Sequence, residues 1–325
     1  MNFSDFKYQI KSGLHQSVAP VAGLIGRRSR KKRRVVDAFL FYNELELLEI
    51  RLAYLYDQVD RFVIAECAQT FSGSPKRLFF DENKEQFKQF ADKIHHLVIP
   101  NPGPSGWVSN PSNPSATTSE FYQRDYLIHG IIGCDDDVVL VSDVDEIISP
   151  SGILQAVGFL SLGHPAVIFR QKWFVLFMNA LVYESYRDGM DHPFLWFGPV
   201  ATTFGNFKKL YQSRANNLWI FRWGQASRCV VRIHHGGYHF SFMGGVRRIF
   251  EKLKSEANRH LDSNDLADLR KREFLGKRFR LTECSEQFPP NLARLIAASS
   301  LPLLSESEYA KLLEQFALNL SGGGP

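Results

Sequence analysis

The sequence predicts an α/β protein with an open, mostly parallel sheet, helices on both of its faces and a helical C-terminal extension. Three features lead there. From residue 35 onward, short apolar runs rich in Val, Ile and Phe alternate with segments of helical spacing, the pattern of strand–helix–strand units. Several predicted strands end in acidic residues, where an open sheet of this class binds ligands. Beyond about residue 262 the strand signals stop and helical spacing takes over. The 325 residues are enough for a full core, in one large domain or two.

In chain order, VVDAFLFY (35–42) is the first strand. Asn43 follows as the expected helix cap, and Leu45, Leu48, Leu52 and Leu55 make the apolar face of the helix behind it. Glu44, Glu46 and Glu49 stand in its early turns, where the helix dipole favours acids. RFVIAE (61–66) is the second strand and ends in Glu66. KEQFKQFADKI reads as helix, HHLVIP as a short strand, and residues 100–118, rich in Pro, Gly, Ser and Asn, as a long loop. SEFYQRDYLIHGII, which carries Arg124, is helical, and residues 137–142 form another strand. PAVIFRQKWFVLFM (165–178) gives one or two strands, whereas 179–200 is irregular and aromatic and holds Glu184, Asp188 and Asp191. CVVRIH (229–234) is a strand, followed by HGGYHFSFMGG and the helix VRRIFEKLKSEA. Near the C-terminus Ser305 and Glu308 have the spacing of a capping box. The expected domains are a flexible basic tail over 1–34, a catalytic domain over 35–260 and a helical extension over 261–325.

The stretch VVLVSDVDEIISP (138–150) concentrates the chemistry. Ser149 before Pro150 is an N-cap with proline in the first helical position. That explains where the strand stops and leaves three carboxylates unexplained. If Asp143 and Asp145 are extended, they share one face of the strand while Val144 and Glu146 take the other. Two carboxylates side by side repel, and a divalent cation removes the cost. An oxygen-only pair at a strand end suits Mg²⁺ or Mn²⁺, hard ions that keep positions open for phosphates. Asn43, Glu44 and Glu66, at the ends of the first two strands, belong to the same sheet edge. No G-x-G-x-x-G and no G-x-x-x-x-G-K-[ST] is present, which excludes the dinucleotide fingerprint and the P-loop.

The net charge of +5 hides an asymmetry: residues 1–34 hold nine basic residues and one acid, and the remainder is slightly acidic. RRSRKKRR (27–34) is the core of that excess, a run that suits peripheral contact with an anionic membrane. With the rest of the chain acidic and no reading module in it, specific nucleic-acid binding is not expected. No apolar run approaches the ~20 residues of a membrane span, and the N-terminal order of residues is not that of a signal peptide. A cytoplasmic or peripheral-membrane location is the expectation. Cys67, Cys134, Cys229 and Cys284 are widely spaced without a C-x-x-C, which argues for reduced, mostly buried thiols rather than zinc.

DAFLFYNELELLEIRL, DRFVIAECAQTFSGSPK, VVLVSDVDEI and GGYHFSFMGG, in that order over about 35–275, resemble glycosyltransferase family 17, the family of the bisecting β-1,4-N-acetylglucosaminyltransferases and their bacterial relatives. The resemblance implies a GT-A fold, UDP-N-acetylglucosamine as donor, and inverting transfer to a hydroxyl of a glycan acceptor with a divalent metal, usually Mn²⁺. It makes Asp143 and Asp145 the metal and diphosphate residues of a D-x-D motif and His239 a further metal ligand. Asn43, Glu44 and Glu66 would line the nucleotide pocket, and Arg124 would face the donor phosphates or sugar. The eukaryotic members begin with a transmembrane anchor and stem, where this chain has a basic tail.

A single inverting displacement needs a general base and no Ser or Cys nucleophile. Glu184, Asp188 and Asp191 are the candidates, in a segment where Trp173, Tyr183, Tyr186 and Trp196 are available to stack on sugar rings. Two other readings compete: a metal-dependent phosphohydrolase using DVDEI as its nucleophile motif, and a non-enzymatic binder of anionic polymers acting through the basic tail. In the first case such motifs follow the first strand, whereas this one follows a later one.

Overall fold

A computed structural model describes residues 18–70, 75–100, 117–185, 190–212, 230–243, 278–305 and 307–308. The chain divides into two compact units. The first comprises Met1–Lys172, Leu195–His239 and Leu253–Asp262; the second comprises Trp173–Phe194, Phe240–Lys252 and Ser263–Pro325.

The first unit is built on β1 (Val35–Leu40), β2 (Arg61–Cys67), β3 (Ile94–Ile99) and β4 (Val138–Asp143), parallel in the order β3-β2-β1-β4. Every residue of β1 is buried, so VVDAFL shows no polar alternation, as expected of a strand covered on both faces. Beyond β4 the direction changes: β9 (Leu195–Thr203) runs antiparallel to β4, and β6 (Ala166–Val175) antiparallel to β9. The α/β class and the parallel core stand as read from the sequence. The segment 179–200, expected to be irregular, instead contributes strands, because its buried positions carry no clean alternation to mark them. Leu40 is level with both Ala65 and Asp143, so the carboxyl ends of β1, β2 and β4 share one edge.

Helix α1 (18–29) lies against α5 (Pro150–Ser161). A side chain at Gly26 would come within 1.8 Å of the Leu154 carbonyl and one at Gly158 within 1.9 Å of that of Ala22, so the two backbones touch where only glycine fits. The basic run therefore starts inside a packed helix, and part of it is engaged internally. Arg30 pairs with Asp60 at 2.7 Å and Arg34 with Asp137 at 3.2 Å, while Arg27, Arg28, Lys31 and Lys32 are exposed. Ser149 caps α5 as expected, its Oγ accepting the Gly152 N–H at 3.1 Å.

Asn43 is not the N-cap of α2 (Leu45–Leu55); Glu44 occupies that position, and its side chain makes no capping hydrogen bond. The Asn43 carbonyl and the Glu44 carboxylate make the local contacts instead, accepting the N–H of Leu45 and of Asn43 respectively. The short α3 (Phe79–Asn83) leads into a 3₁₀ stretch, Lys84–Phe90, where a regular helix was expected. α4 (Thr117–Tyr126) runs into a 3₁₀ turn, Leu127–Gly130, and α6 (Phe204–Gln212) follows β9. Phe204 and Phe207 join Val36, Ala38, Val63, Ala65, Val139 and Val141 in one core cluster.

In the second unit β7 (Ala180–Ser185) lies between β8 (Asp191–Pro193) and β11 (Arg278–Leu281), antiparallel to both. That strand interrupts the region beyond 262 expected to be wholly helical; α7 (Cys284–Gln287) and α8 (Pro290–Ala298) follow it. Phe174, Phe240 and Phe288 cluster with ring centroids 4.9–5.8 Å apart. The Ser305–Glu308 capping box is present, with Ser305 Oγ donating to Glu308 at 2.6 Å and accepting the Glu308 N–H at 3.3 Å. The expected loop over 100–118 and the helix VRRIFEKLKSEA fall largely outside the described residues. Of the cysteines described, only Cys67 is buried; Cys134 is exposed and Cys284 intermediate. Among the described residues no helix is long and apolar enough to cross a membrane.

Candidate active site at the carboxyl edge of the parallel strands

The two aspartates do not share an extended face. β4 ends at Asp143, Val144 and Asp145 form a turn, and β5 (Glu146–Ile148) starts at once. Arg51 explains the turn. It sits on the buried face of α2 with no exposed surface, and its Nη1 donates to the carbonyls of Asp143 (2.8 Å), Val144 (3.2 Å) and Glu146 (3.0 Å). Its other two nitrogens fork onto the Asp37 carboxylate of β1 at 2.9 and 2.6 Å, and Nη2 also donates to Ser142 Oγ at 2.6 Å. The Phe39 ring lies 4.2 Å from the guanidinium carbon. A buried charge is tolerable only when paired and saturated with hydrogen bonds, and Arg51 meets both conditions by gathering the carbonyls of the turn.

On the other side of the turn are the side chains. Asp143 accepts a bidentate fork from Arg124 of α4, at 2.8 and 2.9 Å. Asp145 is buried, with its Oδ1 3.8 Å from His239 Nε2. β10 (Val231–Ser241) brings that histidine there by pairing antiparallel with β5, which sets His239 opposite Glu146. The glycine pair expected to follow a strand lies within this one. Trp196 leans on His239, ring centroids 4.8 Å apart, and donates its indole N–H to Glu146 Oε1 at 2.7 Å. Glu146 Oε2 accepts the Asp143 N–H at 3.0 Å. A side chain at Gly198 would lie 2.7 Å from Glu146 Oε1, so glycine there leaves room for the buried carboxylate. Asp143, Asp145, Glu146, Arg124, Trp196 and His239 are thus brought together by the turn between β4 and β5, the strands β9 and β10, and helix α4.

Glu66 ends β2 at the same edge but is completely buried and fully engaged. It accepts the N–H of Phe80 at 3.1 Å, bonds His96 Nε2 at 3.0 Å and faces Lys76 Nζ at 3.7 Å. Burial pushes the Lys76 ammonium below its ordinary pKa, against the pull of Glu66 and Glu44. Asn43 and Glu44 stand at the end of β1 as the local turn described above. Glu184 is exposed on β7, and Asp191 on β8 is held by Arg280, both in the second unit. Asp188 and Tyr186 lie outside the described residues. Trp173, expected to be open to a sugar ring, is buried and donates to Ser241 Oγ at 2.9 Å. Tyr183 carries the Arg280 guanidinium on its ring.

For a divalent metal, Asp143, Asp145 and His239 supply two carboxylates and an imidazole, a donor set that fits Mn²⁺ or Mg²⁺ in kind. Among the described residues no three such groups converge on one point as they stand, and both oxygens of Asp143 are turned to Arg124. Sequence reading missed Arg51 and gave Glu146 no role. The signal was there for Arg51: it falls three residues after Leu48, on the apolar face, and Asp37 is an acid in the middle of an apolar strand.

Residues 10–162 match the family described as glycosyltransferase family 17. The beta-1,4-mannosyl-glycoprotein 4-beta-N-acetylglucosaminyltransferases of Rattus norvegicus and Homo sapiens are each 29% identical to this chain over 128 residues. That stretch is 38% of this chain and 23% of theirs, so the match spans about a quarter of the curated relatives. A solved 4-diphosphocytidyl-2C-methyl-D-erythritol synthase from Anaerococcus prevotii is 12% identical, covering 62% of this chain and 89% of that one, at a TM-score of 0.32 that establishes no common fold. Three of the four motifs, including VVLVSDVDEI, lie within the matched residues, and GGYHFSFMGG with His239 lies outside them. The resemblance that those motifs carry is borne out as a likeness: residues 10–162, just under half of the chain, match glycosyltransferase family 17.

Proposed function

We propose that the protein is a metal-dependent, inverting glycosyltransferase that moves N-acetylglucosamine from UDP-N-acetylglucosamine to a hydroxyl of a glycan acceptor, forming a β-1,4 linkage. The observation that carries this reading is the Asp143–Glu146 turn, lying within the family-matched residues and held at the sheet edge with Asp145 beside His239. Asp143, Asp145 and His239 are the residues that would hold Mn²⁺, which when bound neutralises charge on the departing diphosphate. Arg51 keeps the backbone of the turn fixed while this happens, so no reorganisation is needed at the moment of reaction. Trp196 and Glu146 hold the His239 ring and the Asp143 N–H in place. Of the candidate bases, Asp191 is already committed to Arg280 and Asp188 lies outside the described residues; of the two described, Glu184, exposed and in no ion pair among the described residues, is the acid we assign to the acceptor hydroxyl. It must come within about 3.2 Å of that hydroxyl in the complex. We assign Arg27, Arg28, Lys31 and Lys32, exposed residues of the basic run, to contact with an anionic membrane surface, which would make the protein peripheral.

Release of UDP from a panel of nucleotide sugars, with and without Mn²⁺, tests the reading. UDP-N-acetylglucosamine should be turned over in preference to the glucose, galactose and GDP-mannose donors, and chelation should stop it. Equal turnover of all donors, or release of inorganic phosphate instead of UDP, would sink it.

A further inference from the structure

We infer that Arg124 is the resident cation of Asp143 in the free protein and is exchanged for a divalent ion when a nucleoside diphosphate arrives, so that ion and donor bind as a coupled pair. This rests on the proposed metal-dependent reading.

Both oxygens of Asp143 are taken by the Arg124 fork, and the Arg124 side chain is only 8% exposed, against 33% for Asp143. An ion reaching the same carboxylate would sit within about 4 Å of the guanidinium, where two cations repel strongly in a partly buried site. The carboxylate therefore serves one of them at a time. The exchange need not disturb the turn, because Arg51 holds the turn by its carbonyls and Glu146 holds the Asp143 N–H, neither touching the Asp143 carboxylate. A buried guanidinium that gives up a carboxylate fork loses charge compensation. A diphosphate restores it, because its oxygens accept the same planar fork. The consequence is mutual: the diphosphate raises affinity for the ion, and the ion raises affinity for the diphosphate by the same factor.

The test is Mn²⁺ binding to the whole protein, read from the electron paramagnetic resonance signal of free Mn²⁺, with and without UDP. In the wild type UDP should tighten Mn²⁺ binding by about tenfold or more, within the usual range of coupling between sites. Arg124→Gln should bind Mn²⁺ alone about tenfold more tightly than wild type, and UDP should then add little. Wild-type or weaker Mn²⁺ affinity in Arg124→Gln, or an unchanged response to UDP, overturns the exchange. If that variant does not fold, Arg124→Lys keeps the charge without the fork, and a gain of a few-fold in Mn²⁺ affinity is expected, no gain counting against the exchange. Asp143→Asn and Asp145→Asn separate the two levels of the argument. If both bind Mn²⁺ as the wild type does, the metal reading itself is wrong; if they lose it while Arg124→Gln behaves as wild type, only the exchange is wrong.

Discussion

The two arginines that flank the Asp143–Glu146 turn do opposite things with the same functional group. Arg51, below, spends its donors on three backbone carbonyls, Ser142 and Asp37, and is completely buried. Arg124, above, forks onto the carboxylate of a residue that solvent still reaches. Backbone carbonyls cannot leave their places without unfolding the turn, so Arg51 is architecture. A carboxylate can change partner at the cost of one rotamer, so the contact made by Arg124 is exchangeable. What an arginine binds, more than how buried it is, separates scaffold from site.

The sharpest way to break this contrast is Arg51→Met. It leaves Asp37 buried without its cation and three carbonyls without donors, and should cost about 3–5 kcal/mol of stability in urea titrations. The pair replacement Asp37→Leu with Arg51→Met should recover much of that loss, since removing both charges of a buried pair is often close to neutral. Recovered stability with Mn²⁺ affinity still weakened would place the effect in the geometry of the turn. A loss under about 1 kcal/mol in the single variant would show that the turn holds itself.

Asp143→Asn and Asp145→Asn probe the other side. Each should lower UDP release by about 100-fold or more while the far-ultraviolet circular dichroism stays that of the wild type, as expected when an electrostatic element of a transition state is removed. Wild-type turnover at limiting Mn²⁺ in either variant would take that residue out of the metal site.

Glu66 applies the same distinction to an acid. The sequence offers it as a pocket residue, but its oxygens are bound by the backbone N–H groups at the start of α3 and by His96. By the reasoning above it is scaffold. Glu66→Gln should cost about 1–3 kcal/mol of stability and change UDP release by less than about threefold once the protein is folded. A large fall in turnover with unchanged melting would return Glu66 to the nucleotide pocket.

The sequence made the parallel half legible because β1, β2 and β4 are dense apolar runs that end in acids, and the spacing between them leaves room for one crossover each. It made the Ser149 cap legible because proline follows it. The antiparallel strands β7, β8 and β9 were hidden, since their pairing is settled by partners far away in sequence rather than by their own pattern. Asn43 misled because a cap preference is weak beside a Glu44 side chain that folds back on the Asn43 N–H. Asp143 and Asp145 were found as a pair, but the turn between them depends on Arg51, some ninety residues away. Only Leu48 and Leu52 around an arginine, and Asp37 inside VVDAFL, hinted at it.

The smallest effect concerns Asp125, the neighbour of Arg124 on α4. Its carboxyl is pushed from an ordinary 3.8 up to about 7, and burial is the cause. Among the described residues no cation offsets that burial, which is consistent with Arg124 being committed to Asp143. The sign follows from which state holds the proton. Below about pH 4 the group is protonated whether the chain is folded or not, and it adds no pH dependence. Between there and about 7 the unfolded chain releases a proton that the folded chain keeps, so stability falls as pH rises; above about 7 both are ionised and the penalty is constant. Asp125→Asn removes the ionisation. It should therefore match the wild type near pH 4 and be more stable by about 1–2 kcal/mol near pH 8, a gain kept well below the full shift because solvent still reaches part of the side chain. Urea midpoints at both pH values, with the slope of the transition checked for constancy, measure this directly. A stability difference that does not grow with pH, or a variant less stable than the wild type near pH 8, would mean that Asp125 has found a cation after all, with Arg124 the first candidate to have turned from Asp143.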